Sequence, residues 1–372
     1  MSPKNDIEQL YIPEFEKYLK TPEPSVRERA DYWRTAIGLQ AVDQLTVSDF
    51  LKQTAQQHIE GKISTDEAGE RLKAYYQAKE MRQPDDDEKE EADRVSFNIQ
   101  KVLGEQSFTF SVAGFAAIHR QIFKGVFKHA GQFRDYDFTK KEWVLDGDTV
   151  LYGRWSELQQ TLAFDLNQEK QFDYTNLALP EAISHIADFV ANLWQIHPFR
   201  EGNTRTTAIF TIKYLRSIGF KQINNSLFEQ HSWYFRNALV RANYKSVSVK
   251  PDNSFLVAFL RNLLLGEQTP LHNKDLHISL AGVQSANEGV QSAIQSANND
   301  DELLSKCKLC TLEEVAVLRI VQRDPKATQK QIATQIGKSE RTVKTITINL
   351  TQKGIMIRRN GKRDGYWEIL NA

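Results

Sequence analysis

Two apolar segments with helical periodicity, residues 181–196 and 206–215, enclose a short polar segment, and this arrangement most constrains the fold. The second apolar segment reads TTAIFTIKYL and the polar segment reads HPFREGNTR. In the first, apolar residues recur on one helical face, at Ile183, Ile186, Ala187, Val190, Leu193 and Trp194. We predict two buried helices joined by a polar loop whose last residues open the second helix.

The residue types in this loop suit anion binding and proton transfer. A helix N-terminus attracts anions, Gly202 allows a close backbone approach, and the Arg205 guanidinium matches phosphate oxygens. Glu201 offers a hard oxygen ligand for Mg²⁺, and His197 titrates near neutral pH and can accept a proton from a hydroxyl. Taken singly, each also has a structural explanation, such as a helix cap for the histidine or a turn for Gly202-Asn203.

The segment HPFREGNTR resembles the Fic (Fic/Doc) family signature HPFx[D/E]GN[G/K]RxxR, with similarity over about residues 95–265. The resemblance implies a mainly helical enzyme that transfers a nucleoside monophosphate, usually AMP from ATP, to a Ser, Thr or Tyr hydroxyl of a target protein. It makes His197 the general base and Glu201 the Mg²⁺ ligand. It places the nucleotide phosphates against Gly202, Asn203, Thr204 and Arg205.

Two positions depart from this signature. Thr204 stands where the family usually has a glycine, and the final arginine falls on Ala208, with Lys213 as the next cation along the helix. In many members that second arginine holds the γ-phosphate, so the sequence leaves open which nucleotide binds and in which pose. Two alternatives follow, a transcription regulator whose inactive Fic fold senses a nucleotide, and a Doc-like phosphotransferase that binds the nucleotide reversed.

Residues 138–152, FTKKEWVLDGDTVLY, place β-favouring residues on both sides of an Asp-Gly turn, which predicts a β-hairpin. Fic proteins carry a flap here that pairs with the target, and the resemblance gives this docking role to Trp143, Val144 and Leu145. A hairpin that only covers the site is the alternative. The segment 229–244 resembles the part that closes over the nucleotide base, through Tyr234 and Asn237, although core aromatics explain it equally well.

The N-terminal block also has helical periodicity, with an apolar stripe at Ala30, Trp33, Ala36 and Ile37 and helix starts at Ser48 and Ser64. It resembles the small antitoxins of Fic toxins, fused here to the same chain. The antitoxin's inhibitory glutamate falls on Gln40 and its Ser/Thr on Ala36, so charge-based inhibition is not expected. Two alternatives remain: the block restrains the Fic domain sterically, or it is a packing domain without a regulatory role.

The C-terminal block, residues 311–372, carries 12 Lys+Arg against 6 Asp+Glu, although the whole chain has 48 of each. Its periodicity predicts helices at 312–322, 329–336 and 339–352, then a hairpin over 355–370 that turns at Asn360-Gly361, the order of a winged helix-turn-helix. We expect DNA contacts from the third helix and the hairpin tip, with protein contacts as the alternative: Arg341, Lys344, Arg358, Arg359, Lys362 and Arg363.

The rest of the chain bounds its class. We expect neither a membrane-spanning helix nor a secretory signal, and the two cysteines, Cys307 and Cys310, are too few for a disulfide scaffold. We therefore expect a cytoplasmic, mainly α protein that binds no membrane, and leave a homodimer open. The expected domains are an antitoxin-like helical domain (1–80), a Fic domain with a flap (90–266), a linker (267–310) and a winged helix (311–372).

Overall fold

The structure is a computed structural model that describes residues 13–78, 85–174, 177–220, 223–279, 312–336, 339–360 and 365–370. These residues form two compact units, one from 13–170 with 187–279 and the other from 171–186 with 312–370. The predicted mainly helical class is confirmed. None of the described helices is long and apolar enough to cross a bilayer.

The N-terminal helices of the first unit are α1 (Pro13–Leu19), α2 (Pro24–Gly38), α3 (Asp49–Ile59) and α4 (Thr65–Gln77), with a 3-10 helix over Leu39–Asp43 after α2. The predicted helix starts are confirmed, because Ser48 caps α3 and Ser64 forms a capping box with Glu67 on α4. The predicted stripe on α2 is fully buried at all four positions. Helix α2 packs against α5 and α10, described below.

Trp33 on α2 anchors this block through His58 on α3. The indole Nε1 donates to His58 Nδ1 (2.9 Å), so the imidazole is protonated at Nε2, which lies 3.0 Å from Thr65 Oγ1. Burial lowers the pKa of His58 to about 4. The folded protein therefore holds a neutral imidazole that an unfolded chain would protonate below pH 6.5.

Because of this group, the free energy of unfolding should decrease as the pH falls below 6.5. The contribution of His58 is complete above pH 6.5 and is lost as the pH falls towards 4, about 2 kcal/mol between pH 7 and 5. The variant His58→Gln keeps one donor and one acceptor but cannot titrate, so its free energy of unfolding should lose this part of the pH dependence. Urea unfolding of both proteins at the two pH values tests this. Parallel pH profiles would contradict it.

The rest of the first unit continues from α5 (Glu90–Gly104) and α6 (Val112–Ile122) through α7 (Leu158–Gln171). It ends with α10 (Ser226–Asn243), α11 (Ser254–Leu265) and a 3-10 helix over Asn273–Leu276. The two predicted apolar helices are α8 (Leu179–Ile196), of which residues 187–196 belong to this unit, and α9 (Asn203–Ser217). Every residue of α9 from Asn203 to Leu215 is buried, and the helix packs against α6. The motif loop 197–202 therefore joins two core helices, as predicted.

The β-hairpin predicted for residues 138–152 is wrong. The segment holds no strand; Trp143–Leu145 form a 3-10 turn, and backbone bonds from Glu142 N to Asp148 O (2.9 Å) and from Gly147 N to Glu142 O (3.0 Å) close the loop. The Asp-Gly turn itself is present, since Asp146 and Gly147 both have positive φ (55° and 87°). Burial of Val144 and Leu145 overrides their strand preference and draws both into the core.

The second unit carries the predicted winged helix. Helices α12 (Leu312–Arg323), α13 (Gln329–Ile336) and α14 (Glu340–Gln352, capped by Ser339) precede strands β1 (Met356–Arg359) and β2 (Tyr366–Ile369). The strands pair antiparallel with Met356 opposite Ile369 and Arg359 opposite Tyr366. Trp367 fixes the wing by donating from Nε1 to Ala327 O (3.0 Å). Residues 280–311, with both cysteines and most of the predicted linker, lie outside the described residues.

Candidate active site

His197 begins the motif loop directly after α8 and has an unusual backbone. Its φ is +50°, a region that few residues other than glycine and asparagine adopt. Arg134 holds it there: the guanidinium donates from Nε to His197 O (2.9 Å) and from Nη2 to Gly153 O, while Arg134 N donates to Pro198 O (2.8 Å). Arg134 is buried, and no sequence signal had pointed to it.

The protonation state of His197 suits a general base. Its Nδ1 lies 3.3 Å from Trp194 O, and because a carbonyl only accepts, Nδ1 carries the proton and Nε2 the lone pair. Burial lowers the pKa of His197 well below its usual value, and the nearby cations Lys140 and Arg236 lower it further. The imidazole is therefore neutral at physiological pH, stacked on the Tyr152 ring (4.1 Å between centroids).

Side chains of Asn203 and His119 hold the rest of the loop through hydrogen bonds to its backbone. Asn203 bridges Phe199, accepting from its N (2.9 Å) and donating to its O (2.8 Å). His119 donates from Nε2 to Glu201 O (3.1 Å), and burial lowers the pKa of His119 to about 3. The predicted phosphate ligand Asn203 thus uses its side chain to shape the loop.

Gly202 occupies a position that only glycine fits. Its φ is +73°, and an added Cβ would lie 2.1 Å from the Phe123 ring. The α9 N-terminus that follows has no side-chain cap, and its first backbone bond runs from Thr206 N to Gly202 O (3.0 Å). The backbone N–H groups of residues 203–205 come before that bond. They are therefore available to bind an anion at this end of the helix. Thr204 lies here, accepting from Trp194 Nε1 (3.0 Å).

Arg205 is buried, and its guanidinium lies against three polar side chains. Its Nη1 donates to Gln40 Oε1 and its Nη2 to Glu91 Oε1, both at 2.9 Å, and its Nε lies 2.9 Å from Asp43 Oδ2. The guanidinium also lies over the Phe123 ring, 4.8 Å from its centroid. The antitoxin-like segment therefore reaches the motif arginine through the amide at Gln40 and a carboxylate three residues later.

A cavity of about 250 Å³ lies between this segment, the 138–152 loop and α10. Two exposed cations, Lys140 and Lys141, line it together with Arg236, whose charge is offset by the buried carboxylate of Glu142 (2.7 Å). Asp43 and Trp233 complete its polar and aromatic lining. Tyr152, whose ring stacks on His197, donates from its hydroxyl to the lining residue Glu142 (3.3 Å), so the cavity adjoins the motif loop.

The predicted docking residues are divided. Trp143 is partly exposed, lines this cavity and packs against His277, whereas Val144 and Leu145 are fully buried. Tyr234 is buried in the core, and Asn237 donates to Asn273 Oδ1 (2.9 Å) rather than facing the cavity. Their nucleotide and target roles stay predictions.

Lys213, the next cation after the missing second arginine, is not at the site. It is buried and donates to the carbonyls of Val102 (2.9 Å) and Glu105 (2.8 Å). Ala208 is fully buried in α9. Neither position therefore supplies the charge that the signature's last arginine would bring.

In the winged helix, Arg341 and Lys344 are exposed on α14, three residues apart and thus on one face. Arg358 lies over the Trp367 ring (4.8 Å), and Arg359 pairs with Glu368 across the strands (2.5 Å). Lys362 and Arg363 fall outside the described residues.

Known proteins resemble two parts of this chain. Residues 109–215 match the Fic/DOC family, and residues 314–355 match the family of winged helix-turn-helix DNA-binding domains. A protein adenylyltransferase of Bartonella henselae is 30% identical over 147 residues, which are 36% of this chain and 26% of that protein. A probable protein adenylyltransferase of Sinorhizobium fredii is 28% identical over 161 residues, 43% of this chain and 79% of that protein.

The chain thus spans about a quarter of the length of the Bartonella relative that it matches. Among solved structures, a Fic family protein of Desulfovibrio desulfuricans aligns over 100% of this chain and 97% of that chain, with a TM-score of 0.44 and 12% identity. The matches coincide with the motif loop and its flanking helices, and with the three C-terminal helices. Residues 109–215 are therefore a Fic/DOC family domain, and residues 314–355 a winged helix-turn-helix domain.

Proposed function

We propose that the Fic domain transfers the nucleoside monophosphate part of a nucleoside triphosphate, most simply AMP from ATP, to a hydroxyl of a protein. The observation that carries this proposal is the neutral His197, protonated at Nδ1 with its lone pair on Nε2, on the loop that ends at the uncapped N-terminus of α9. The names of the Bartonella and Sinorhizobium relatives support it.

In this reaction His197 Nε2 accepts the proton of the target hydroxyl, whose oxygen bonds to the α-phosphorus. The bond from the α-phosphorus to the bridging oxygen breaks, and pyrophosphate leaves with that oxygen. The N–H groups at the start of α9 stabilise the charge on the phosphate, and we assign the β- and γ-phosphates to Lys140 and Lys141, the exposed cations of the cavity.

Glu201 fits a Mg²⁺ that arrives with the nucleotide. It is exposed on the loop as a single carboxylate, and the described residues contain no group of three His, Cys, Asp or Glu side chains that could hold a metal ion by themselves. One or two carboxylates are what Mg²⁺ bound to nucleotide phosphates usually uses, and the ion would neutralise phosphate charge there.

The test is a labelling assay with the full chain, Mg²⁺ and α- or γ-labelled nucleotides, alone and with lysate of a host cell. Label from the α-phosphate on protein establishes the transfer and identifies the nucleotide. Label only from the γ-phosphate moves the protein to phosphoryl transfer. Absence of protein label from every nucleotide would overturn the proposal.

The engaged state of Arg205 leads to one prediction. A phosphate near this guanidinium meets two carboxylates as well, so Asp43→Asn should improve nucleotide binding by removing one of them. Because Asp43 is 29% exposed, we expect an effect on the order of 1 kcal/mol, or about a fivefold lower KM for the nucleotide. Asp49→Asn, at an exposed carboxylate on α3, is the matched control. Equal KM values in both variants would contradict this.

A second candidate function is nucleotide sensing by a transcription regulator. The observation that favours it is the lack of a free arginine at the motif, since Ala208 replaces the second and Arg205 is tied to the antitoxin-like segment. A sensor would bind nucleotide without transferring label. Nucleotide-dependent DNA binding in the absence of any transfer would favour this function over the enzyme.

We further propose that the winged helix binds DNA through α14, which would place the protein in the cytoplasm with its DNA. The exposed pair Arg341 and Lys344 supports this. The double variant Arg341→Ala/Lys344→Ala should weaken binding at least tenfold and reduce the salt slope by about 2, whereas Lys326→Ala, an exposed control, should change little. Titration of genomic fragments at several salt concentrations measures both. Unchanged binding would favour protein contacts instead.

A further inference from the structure

A second cavity, of about 350 Å³, lies in the first unit and shares no residue with the one beside the motif loop. It is bounded by the C-terminal part of α10 at Arg241, by the loop 248–252, and by Ile278. The volume is in the range of small-molecule sites and well above that of a single ion.

Arg241 is the buried polar group of this cavity. It is 7% exposed, its Nη1 donates to Leu276 O (2.6 Å), and the ring of Phe255 lies 5.5 Å from its guanidinium. Its Nε has no hydrogen-bond partner among the described residues. Burial also lowers the pKa of Arg241.

Two other buried arginines show why this is unusual. Arg34 and Arg205 also have an Nε without a hydrogen bond, yet each has a carboxylate within 2.9 Å of its guanidinium. Arg241 makes no ion pair with any described residue. Asp252 opposes the effect of burial on the pKa of Arg241 without pairing with it. A buried guanidinium without a paired anion is costly, so within the part of the chain that the structure describes this group lacks a direct anionic partner.

The remaining lining adds two kinds of contact. Lys250 and Ser248, both exposed, give a second cation and a hydroxyl on the loop. Asp252 is held by its backbone N, which donates to Arg241 O (3.0 Å), and its carboxylate accepts from Ser254 N (3.0 Å). An acceptor thus lies beside two cations, which suits a ligand that is anionic at one end and carries hydroxyl donors at the other.

We propose that this cavity binds a phosphate monoester of a small polyhydroxylated molecule, such as a sugar phosphate. The phosphate lies on Arg241 and Lys250, and the hydroxyl groups of the ligand donate to Asp252. The site is independent of the proposed nucleotidyl transfer.

Calorimetry on the full chain with ribose 5-phosphate, ribose and inorganic phosphate tests this. Ribose 5-phosphate should bind the wild type at least tenfold more tightly than the other two. Arg241→Gln should weaken its binding at least tenfold and Lys250→Ala severalfold, whereas Arg261→Gln, at a paired arginine on the neighbouring helix α11, should leave it unchanged. Lys250 is exposed, so its variant remains informative should Arg241→Gln unfold.

The inference would be overturned by no binding of ribose 5-phosphate to the wild type, by binding unaffected in both cavity variants, or by equal binding of all three probes. Binding that Lys140→Ala/Lys141→Ala abolishes and Arg241→Gln spares would also overturn it, since the probe would then lie in the cavity beside the motif loop.

Discussion

Replacing His197 should reduce the transfer of α-label to protein by about 10² to 10⁴-fold while leaving nucleotide binding nearly unchanged. The imidazole is neutral and protonated at Nδ1, so Nε2 is the group that accepts the hydroxyl proton. The better variant is His197→Asn, because asparagine tolerates the +50° φ that Arg134 imposes, whereas alanine would add backbone strain. Single-turnover labelling and equilibrium binding measure the two effects separately.

The control for this variant is His272→Ala, an exposed histidine on the segment before the Asn273–Leu276 turn, which should retain full transfer. The pH profile gives a second check. Because the pKa of His197 is well below 6.5, the base stays unprotonated from pH 8 to 6, and this group should cause no loss of rate there. Transfer that survives His197→Asn would remove the histidine from the mechanism.

The motif loop and its flanking helices could be predicted from the sequence because their signals are local. Apolar spacing marks α8 and α9, and the uncapped start of α9 follows from the motif residues that open it. The winged helix could be predicted for the same reason, because the Ser339 cap and the apolar faces of its helices are signals between residues close together in the sequence. The predicted bounds of α13 match the observed ones.

The partners of the site residues could not be predicted, because they come from distant parts of the chain. Gln40 lies 165 positions before Arg205, Glu91 lies 114 before it, and Arg134 lies 63 before His197. The β-hairpin prediction for residues 138–152 was wrong for a related reason, because burial of Val144 and Leu145 outweighs their strand propensity. In each case tertiary packing decides what the side chain does.

The contact between α2 and α10 is the clearest product of such packing. Gly38 lies so close to α10 that an added Cβ would be 2.2 Å from Glu229 Cα, and Ser232 Oγ donates to Gly38 O (2.8 Å). At its centre Arg34 Nη2 pairs with Glu229 Oε2 at 2.5 Å, with side chains 3% and 0% exposed. The antitoxin-like block is thereby joined to the rest of the first unit through a buried ion pair.

Breaking that pair should destabilise the protein by about 3–5 kcal/mol. The variant Glu229→Gln leaves the buried charge of Arg34 without its carboxylate, whereas Lys52→Ala, at an exposed pair with Asp49, should cost less than about 1 kcal/mol. The double variant Arg34→Met/Glu229→Leu removes both charges and should recover more than half of the loss. Urea unfolding followed by the fluorescence of the six tryptophans, Trp33 in α2 among them, measures all four proteins. A loss in Glu229→Gln no larger than in Lys52→Ala would show that the block is held by its apolar contacts alone.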